Sequence, residues 1–527
     1  MTGIVRAVLS MSAATTVSRI TGYLRTMVMA ATLGSGVVAN AYTLSNTLPN
    51  QIYELFMGGI LYSIFIPLLV ERIQKHGEED ARRFTDALFT LVVPVLAAVS
   101  LLGVLFAGPL VRLASDFEAA EGNLSPEEAR QATELAILMF RIFAVQIIFY
   151  GIGAVCIGVL NSHRRFFLPT FAPVFNNLVV IASFAGYWLL REENPAGAVY
   201  VLAGGTTLGV AVMSLVLLPP VIRLGYRPRP RLGHPALRSA ARLAGPMLVF
   251  VAAAVGVQFA ANLIGSQFGA VEYLWYAFMI YSLPYGIFVV AIATALMPEL
   301  SERFSASDAE GYRRTLSFGL RIMAFIVVPA TVGLITLSEP IVGLLYERGE
   351  FTPQDTRTVS ALLVAYAAGL LGYATYFILA RAFYARQNTK TPAAMNVFLL
   401  ALYVALAYGL SRILGAQGIA WAFSAAYFVL ALALLLAMRR ETKSIDGRRL
   451  LNSLIRILLA GAAMFATAHL GMQILGPGSD FAQRAAILAG VGGASVAVYL
   501  GAALALRVQE LRSGLSLLRG RLQPPSR

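Results

Sequence analysis

Arg19 and Arg25 stand inside the first long apolar stretch of the chain, about residues 4–33. On an α-helix their six-residue spacing places them about 9 Å apart along the axis and about 120° apart around it. A charged side chain at bilayer depth costs roughly 3 kcal/mol on insertion scales, so such a residue faces a water-filled cavity or a partner. Guanidinium groups keep their charge and fork onto phosphate oxygens through paired N–H donors. Few acids lie nearby in sequence. The pair therefore predicts a cavity that receives an anion, and a diphosphate is the ligand it would hold best. The alternative is that a guanidinium pairs with carbonyls at a helix break or snorkels to an interface. Ser18 and Thr26 are candidate lining residues beside the pair. Gly22, between the arginines, lets another backbone approach or the helix bend.

The second apolar span carries Asn40, Asn46, Pro49, Asn50, Glu54, Gly58 and Gly59. A broken helix lining a cavity and close packing at glycines are both open readings of this pattern. Asn46, Asn50 and Glu54 are candidate lining residues, and Pro49 is a candidate hinge. Glu54 is placed to neutralise an arginine or to bind a proton or cation. In the eighth span, Ser282-Leu283-Pro284-Tyr285-Gly286 predicts a kink, with Pro284 and Gly286 as hinge candidates. Arg141, Arg321 and Arg456 lie near span ends and read as snorkelling side chains.

Other chemistry is excluded by what the sequence omits. It has no Gly-x4-Gly-Lys phosphate loop, no His-Glu-x-x-His and no Gly-x-Ser-x-Gly elbow, so it does not read as an enzyme. The four histidines show no metal-ligand spacing, and the single cysteine, Cys156, allows no intramolecular disulfide. Without a nucleotide-binding domain or a cofactor, work must come from the membrane potential, an ion gradient such as Na+ or H+, or the substrate's own gradient.

The elements that position these residues are membrane helices. The chain is 58% hydrophobic and 13% charged, against about 25% charged in ordinary soluble domains. Its mean hydropathy is +0.72. Apolar runs of about 20 residues predict fourteen transmembrane helices, from 4–33 and 44–70 through 243–265 to 453–475 and 485–506. With the N-terminus in the cytoplasm, 29 of the 41 Lys and Arg residues fall in cytoplasmic segments and seven in outer ones. That asymmetry places both termini in the cytoplasm, and it explains the net charge of +14 without a nucleic-acid partner. Ser-Pro-Glu-Glu at 125–128 reads as a helix start, and Arg-Pro-Arg-Pro-Arg at 227–231 as a stiff connector on the anionic cytoplasmic leaflet.

An internal repeat organises the helices. One constant offset brings Gly34-Ser35 onto Gly265-Ser266, and Pro67, Glu71 and Arg72 onto Pro298, Glu302 and Arg303. The same offset brings Arg82-Arg83 onto Arg313-Arg314 and Pro109 onto Pro340. The expected organisation is an N-lobe of six helices (1–223), a basic cytoplasmic connector (224–242) and a C-lobe of six helices (243–440). Two added helices and a basic tail (441–527) complete it. An even helix number per unit predicts a parallel repeat with the substrate site between the halves.

Ser18-Arg19-Ile20-Thr21-Gly22-Tyr23-Leu24-Arg25, and Leu48-Pro49-Asn50 with Pro67 and Glu71 beyond, resemble motifs of the MurJ (MviN) family of lipid II flippases. Leu345-Tyr346-Glu347-Arg348-Gly349-Glu350-Phe351-Thr352 resembles the family's Leu-Phe-Glu-Arg-Gly-x-Phe-Thr. The run from Arg381-Ala382-Phe383-Tyr384 to Asn388-Thr389-Lys390-Thr391-Pro392 resembles its Arg-Ala-Phe-Tyr-Ala-x-x-Asp-Thr-x-Thr-Pro, and adds Arg381 and Thr391 as structural candidates. The resemblance implies an all-α exporter fold of the multidrug/oligosaccharidyl-lipid/polysaccharide superfamily, with two six-helix lobes in a V and two extra helices grooved for a polyprenyl tail. It implies a flippase that moves the undecaprenyl-diphosphate-linked peptidoglycan precursor from the inner to the outer leaflet of the bacterial cytoplasmic membrane. Arg19 and Arg25 match the family's cavity arginines, and membrane lipids and cell-wall synthesis or division proteins are the further partners expected. Departures mark a divergent branch. Thr26 and Asn40 stand where the family has acids, Tyr53-Glu54 where it has an arginine pair, Gly58 where it has a glutamate, and Ala277-Phe278-Met279-Ile280 where it has Ala-Asp-Arg-Leu. The alternative functions are a cation-coupled exporter of another polyprenyl-linked glycan or of small molecules, with Glu54 as coupling site, and a non-transporting scaffold for cell-wall synthesis.

Overall fold

The computed structural model describes residues 2–54, 65–116, 125–227, 229–231, 233–386, 388–443 and 446–511. Among these, every regular element is a helix. Ten stretches are long and apolar enough to cross a membrane, and the pair Pro353–Ala368 and Leu370–Ala385, bent by 43°, makes an eleventh. The expected fourteen is compatible with this number. The expected spans outside the eleven are 4–33, 44–70 and 243–265, and the first two carry the arginines and amides singled out above. Polar side chains dilute the hydropathy of 4–33, whereas 44–70 and 243–265 run over positions outside the described residues or side chains.

The chain forms two compact units, Met1–Glu272 with Arg348–Thr352, and Tyr273–Glu347 with Pro353–Arg527. The first unit runs through α1 (Thr2–Leu33), α2 (Val37–Glu54), α3 (Ile66–Leu105), α4 (Ala107–Ala114) and α5 (Pro126–Phe143). It continues with α6 (Gln146–Ser162), α7 (Phe167–Leu190), α8 (Pro195–Leu215), α9 (Leu218–Arg223) and α10 (Pro235–Ser266). Within it α1 packs on α7, α7 on α8, α2 on α5 and α3 on α6. Ser125 caps α5 as the sequence predicts: its Oγ accepts from the Glu128 N–H, and the Glu128 carboxylate accepts from the Ser125 N–H at 2.8 Å. The Arg-Pro-rich connector keeps its described arginine side chains exposed, while its backbone docks on α3. There the Arg229 N–H donates to Asp86 Oδ1 at 3.3 Å and the Arg231 N–H to Thr90 Oγ1 at 2.9 Å.

The second unit holds α11 (Val271–Pro284), which begins at the boundary, then a π-helical turn (Tyr285–Val289), α12 (Val290–Ser305), α13 (Ala309–Thr336) and α14 (Ser338–Tyr346). It continues with α15 (Pro353–Ala368), α16 (Leu370–Ala385), α17 (Lys390–Leu414) and α18 (Ala416–Thr442). The added hairpin is α19 (Gly447–Leu475), α20 (Phe481–Ile487), a second π turn (Leu488–Gly492) and α21 (Gly493–Ala505). Ile457, Ala460, Met464 and Tyr499 of this hairpin bury against Ala324 and Val328 of α13. Asp308 caps α13. Hydrogen bonds from the Gly311 N–H and the Arg303 guanidinium hold its carboxyl below the usual carboxylate range.

The repeat recurs as local geometry. Phe106, with φ −100° and ψ 21°, closes α3 by donating its N–H to the Leu102 carbonyl. Its counterpart at the repeat offset, Leu337, has φ −110° and ψ 19° and donates to the Gly333 carbonyl, the counterpart of Leu102, to close α13. The short helices α4 and α14 then start at Ala107 and Ser338, still in register. Gly77 (φ 83°) kinks α3 near the matching place where Ser307 (φ 56°) separates α12 from α13. Beyond α4 and α14 the offset shortens, so that α5 starts at Pro126 and α15 at Pro353, because the loop before α5 is longer than the loop before α15.

Candidate functional site

Helix α1 runs unbroken through Ser18, Gly22 and Arg25. Its inward stripe is Ala14, Thr26, Met29, Ala30 and Leu33, all buried, with Ser18 and Gly22 half-buried on the same face. At about 100° per residue, Arg19 and Arg25 fall on opposite flanks of that stripe. Arg19 is exposed and Arg25 half-buried. Among the described residues no carboxylate lies within ion-pair distance of either guanidinium. On the neighbouring α2, the Tyr42 hydroxyl is 3.1 Å from Thr206 Oγ1 on α8.

Where α7 packs on α1, one amide bonds directly to it. Asn177 Nδ2 donates to the Ser18 carbonyl at 3.3 Å and to Thr21 Oγ1 at 3.0 Å. A Cβ at Gly22 would sit 3.6 Å from the same Nδ2, an ordinary contact, so Gly22 admits the amide without being forced by it. Nothing in the sequence of α7 marks Asn177 beyond being polar in an apolar span; its role appears only once α1 and α7 are seen together.

Thr26 is 2% exposed, and its hydroxyl donates back to the Gly22 carbonyl at 3.1 Å. The polar atom of this candidate lining residue is thus bonded within its own helix. The packed position also explains why a neutral residue stands there, since a carboxylate so buried would need a partner. Asn40 is fully buried. Its Nδ2 donates to the Gly269 carbonyl at 3.3 Å and its Oδ1 accepts from the Val271 N–H at 3.3 Å. The amide thus bridges the turn between α10 and α11 with a donor that an aspartate lacks.

On α2, Asn46 and Asn50 are half-buried. Asn50 Nδ2 donates to the Asn46 carbonyl at 2.8 Å, and its Oδ1 accepts from the Tyr150 hydroxyl of α6 at 2.5 Å. Pro49 sits inside the helix, which continues to Glu54. The Glu54 side chain, Gly58 and Gly59 lie outside the described side chains and residues.

The kink expected at Pro284 and Gly286 is a change of helix type. Helix α11 ends at Pro284, and the π turn Tyr285–Val289 contains Gly286. Proline lacks the N–H that would continue the α-helical ladder. Arg381 is exposed with its Cζ 5.0 Å from the Phe377 ring centre. Thr391 belongs to an ordered corner. Its N–H donates to Asn388 Oδ1 at 3.1 Å, and Asn388 Nδ2 donates to Thr391 Oγ1 at 3.0 Å and to Glu441 Oε1 at 2.8 Å. The structure therefore groups Ser18, Arg19, Gly22 and Arg25 on α1, sets Asn46 and Asn50 on α2 beside Tyr150, and leaves Pro284, Gly286, Arg381 and Thr391 in the second unit.

The family model described as Lipid II flippase MurJ matches residues 29–481. A probable lipid II flippase MurJ of Rhizobium meliloti is 31% identical over 517 residues, which are 95% of this chain and 94% of that protein. A probable lipid II flippase MurJ of Vibrio cholerae is 30% identical over 510 residues, 94% and 95% of the two chains. The solved structure of a lipid II flippase MurJ in an inward closed conformation has a TM-score of 0.75 at 24% identity, over 94% of this chain and 98% of that one. An inward-facing MATE family multidrug resistance transporter of the MOP superfamily has a TM-score of 0.66 at 15% identity, over 84% and 99%. These structural likenesses speak to the fold alone, which the chain shares with that flippase and that transporter.

Proposed function

The chain belongs to the MurJ family, and on that premise we propose that it moves lipid II, the polyprenyl-diphosphate-linked peptidoglycan precursor, between the leaflets of the bacterial cytoplasmic membrane. The observation that carries this reading is the pair Arg19 and Arg25, two fixed cations on one apolar helix with no carboxylate at ion-pair distance among the described residues. Uncompensated charge at bilayer depth is costly, and a diphosphate supplies the counter-charge that the described residues do not. Transport runs from the inner to the outer leaflet by alternating exposure of the two arginines, while the polyprenyl tail stays in lipid. Both termini face the cytoplasm. The membrane potential or a gradient of Na+ or H+ supplies the work.

Purified protein in vesicles is expected to move fluorescent lipid II between leaflets, and Arg19→Ala and Arg25→Ala are each expected to abolish that movement. A bacterium depleted of its own MurJ should be rescued by the wild-type chain and not by Arg19→Ala. Lipid II transport that survives both arginine changes would sink the proposal. Drug efflux dependent on Glu54, without lipid movement, would transfer the reading to a cation-coupled exporter.

A further inference from the structure

We propose that Asn177 is a positioning residue that fixes the roll of α1 about its axis and so aims Arg19 and Arg25. The inference rests on the function proposed above for those arginines. In a bilayer no hydrophobic drive orients one helix against another; roll is set by close packing and by interhelical hydrogen bonds. Near the arginines the buried stripe of α1 narrows to small groups, Ser18 and Gly22, which are only half-buried. There Asn177 adds a directional constraint to the packing of Thr26, Met29 and Leu33 further along the helix. Only 5% exposed, it reaches two α1 acceptors at once, the Ser18 carbonyl at 3.3 Å and Thr21 Oγ1 at 3.0 Å.

The donor roles are mutually consistent. The Thr21 hydroxyl faces the Val17 carbonyl at 2.9 Å and the Ser18 carbonyl at 3.0 Å, so it directs its proton to the backbone and keeps a lone pair for the amide. Turning the amide over would set Oδ1 against the Ser18 carbonyl oxygen, oxygen on oxygen. The nitrogen must therefore face α1. Rolling α1 by one residue, about 100°, removes both acceptors from reach and swings each arginine off its flank of the buried stripe. Ser18 directly precedes Arg19, Thr21 follows it by two residues, and Arg25 lies one turn beyond Thr21, so the lock sits beside both groups it aims. An aspartate could not substitute, because both α1 atoms need a donor.

The test uses the full chain in vesicles, with Cys156→Ala as background and one reporter cysteine, Arg19→Cys or Arg25→Cys, labelled by a membrane-impermeant thiol reagent. Asn177→Leu keeps size and removes the donor. It is expected to change labelling rates at positions 19 and 25 in opposite directions by about threefold to tenfold, leaving an Arg83→Cys reporter unchanged. With both arginines present, Asn177→Leu is expected to raise the lipid II concentration for half-maximal transport by a similar factor and to change the maximal rate less. Thr21→Val, the milder change, should reproduce part of the effect and add nothing to Asn177→Leu, whereas Thr21→Ser should behave as wild type. Labelling unchanged at both reporters in Asn177→Leu and in Thr21→Val overturns the proposal, whether or not Arg19→Ala abolishes transport. Altered labelling alongside transport indifferent to Arg19→Ala would leave the lock standing and remove the function it was meant to serve.

Discussion

The Arg321 guanidinium meets the Glu510 carboxylate at 2.6 Å, and Ser453 Oγ donates to the other carboxylate oxygen at 3.0 Å. The Glu510 side chain is 1% exposed, and the contact joins α13 to α19 and to the segment that follows α21. Arg321 is therefore not the snorkelling side chain its place near a span end predicts. Removing one partner of a buried ion pair leaves an unpaired charge and costs about 3–5 kcal/mol, whereas replacing both with apolar groups is often neutral. Glu510→Ala is expected to lower the detergent unfolding temperature sharply, and Arg321→Met with Glu510→Leu to recover most of the loss. Equal losses for the single and double changes would show that the pair's charge is not what matters.

Gly349 gives a second, steric prediction. Its φ is +61°, and a Cβ there would lie 2.1 Å from the Ala31 carbonyl oxygen. The neighbouring Glu350 N–H donates to that same oxygen at 3.0 Å, and the Glu350 carboxylate accepts from Arg191 at 2.9 Å while Arg191 stacks 3.5 Å over Trp188. Backbone meets backbone, so no side chain can move aside. Gly349→Ala should cost at least about 1–3 kcal/mol from conformation alone, before the clash is counted. Gly22→Ala, with only a 3.6 Å contact in an unbroken helix, should be neutral or stabilising by about 1 kcal/mol. Thermal unfolding of the two variants side by side decides the point, and similar losses for both would contradict it.

What the sequence made legible follows from which signals are local. The apolar spans, the Ser125 helix start and the repeat that pairs Pro109 with Pro340 are properties of short segments; eleven of the fourteen spans, the helix start and the matched starts of α4 and α14 are present in the structure. The lone arginines of α1 were legible because charge in an apolar run is conspicuous. Partners were not. Asn177, Tyr150 and Glu510 act across 156, 100 and 189 residues of chain, on Thr21, Asn50 and Arg321. Thr26 reads as a neighbour of Arg19 by helical spacing, yet spacing cannot say whether a residue on that face meets water or α7. The long-range hydrogen bonds, and not the helices, are where inference from sequence stopped.

The resemblance drawn from the sequence puts an acid at position 40, so Asn40→Asp looks like a repair. The structure predicts the reverse. The Gly269 carbonyl at 3.3 Å needs a donor, and Asn40→Asp replaces that donor with an acceptor in a fully buried site. An unsatisfied buried group costs about 1–3 kcal/mol, and more when charged. Asn40→Asp is expected to lower both unfolding temperature and lipid II transport. A variant that transports faster than wild type would mean that the missing charge, rather than the turn between α10 and α11, governs this position.

The choice of arginine over lysine separates charge from shape at the site. If attraction to an anion were all that mattered, Arg19→Lys and Arg25→Lys would retain transport, because both side chains stay cationic. Diphosphate recognition by two forked guanidiniums demands more, since an ammonium is a point charge without the planar pair of donors. Arg19→Lys is expected to raise the lipid II concentration for half-maximal transport about tenfold, equivalent to about 1.4 kcal/mol of lost binding. Arg19→Ala is expected to abolish transport. The same substitutions should alter binding of a soluble isoprenyl diphosphate and leave binding of the monophosphate little changed, because two forks are matched to two phosphate groups. Monophosphate and diphosphate affinities falling together by the same factor would reduce Arg19 and Arg25 to a general positive field, and the diphosphate specificity would have to come from residues elsewhere in the chain.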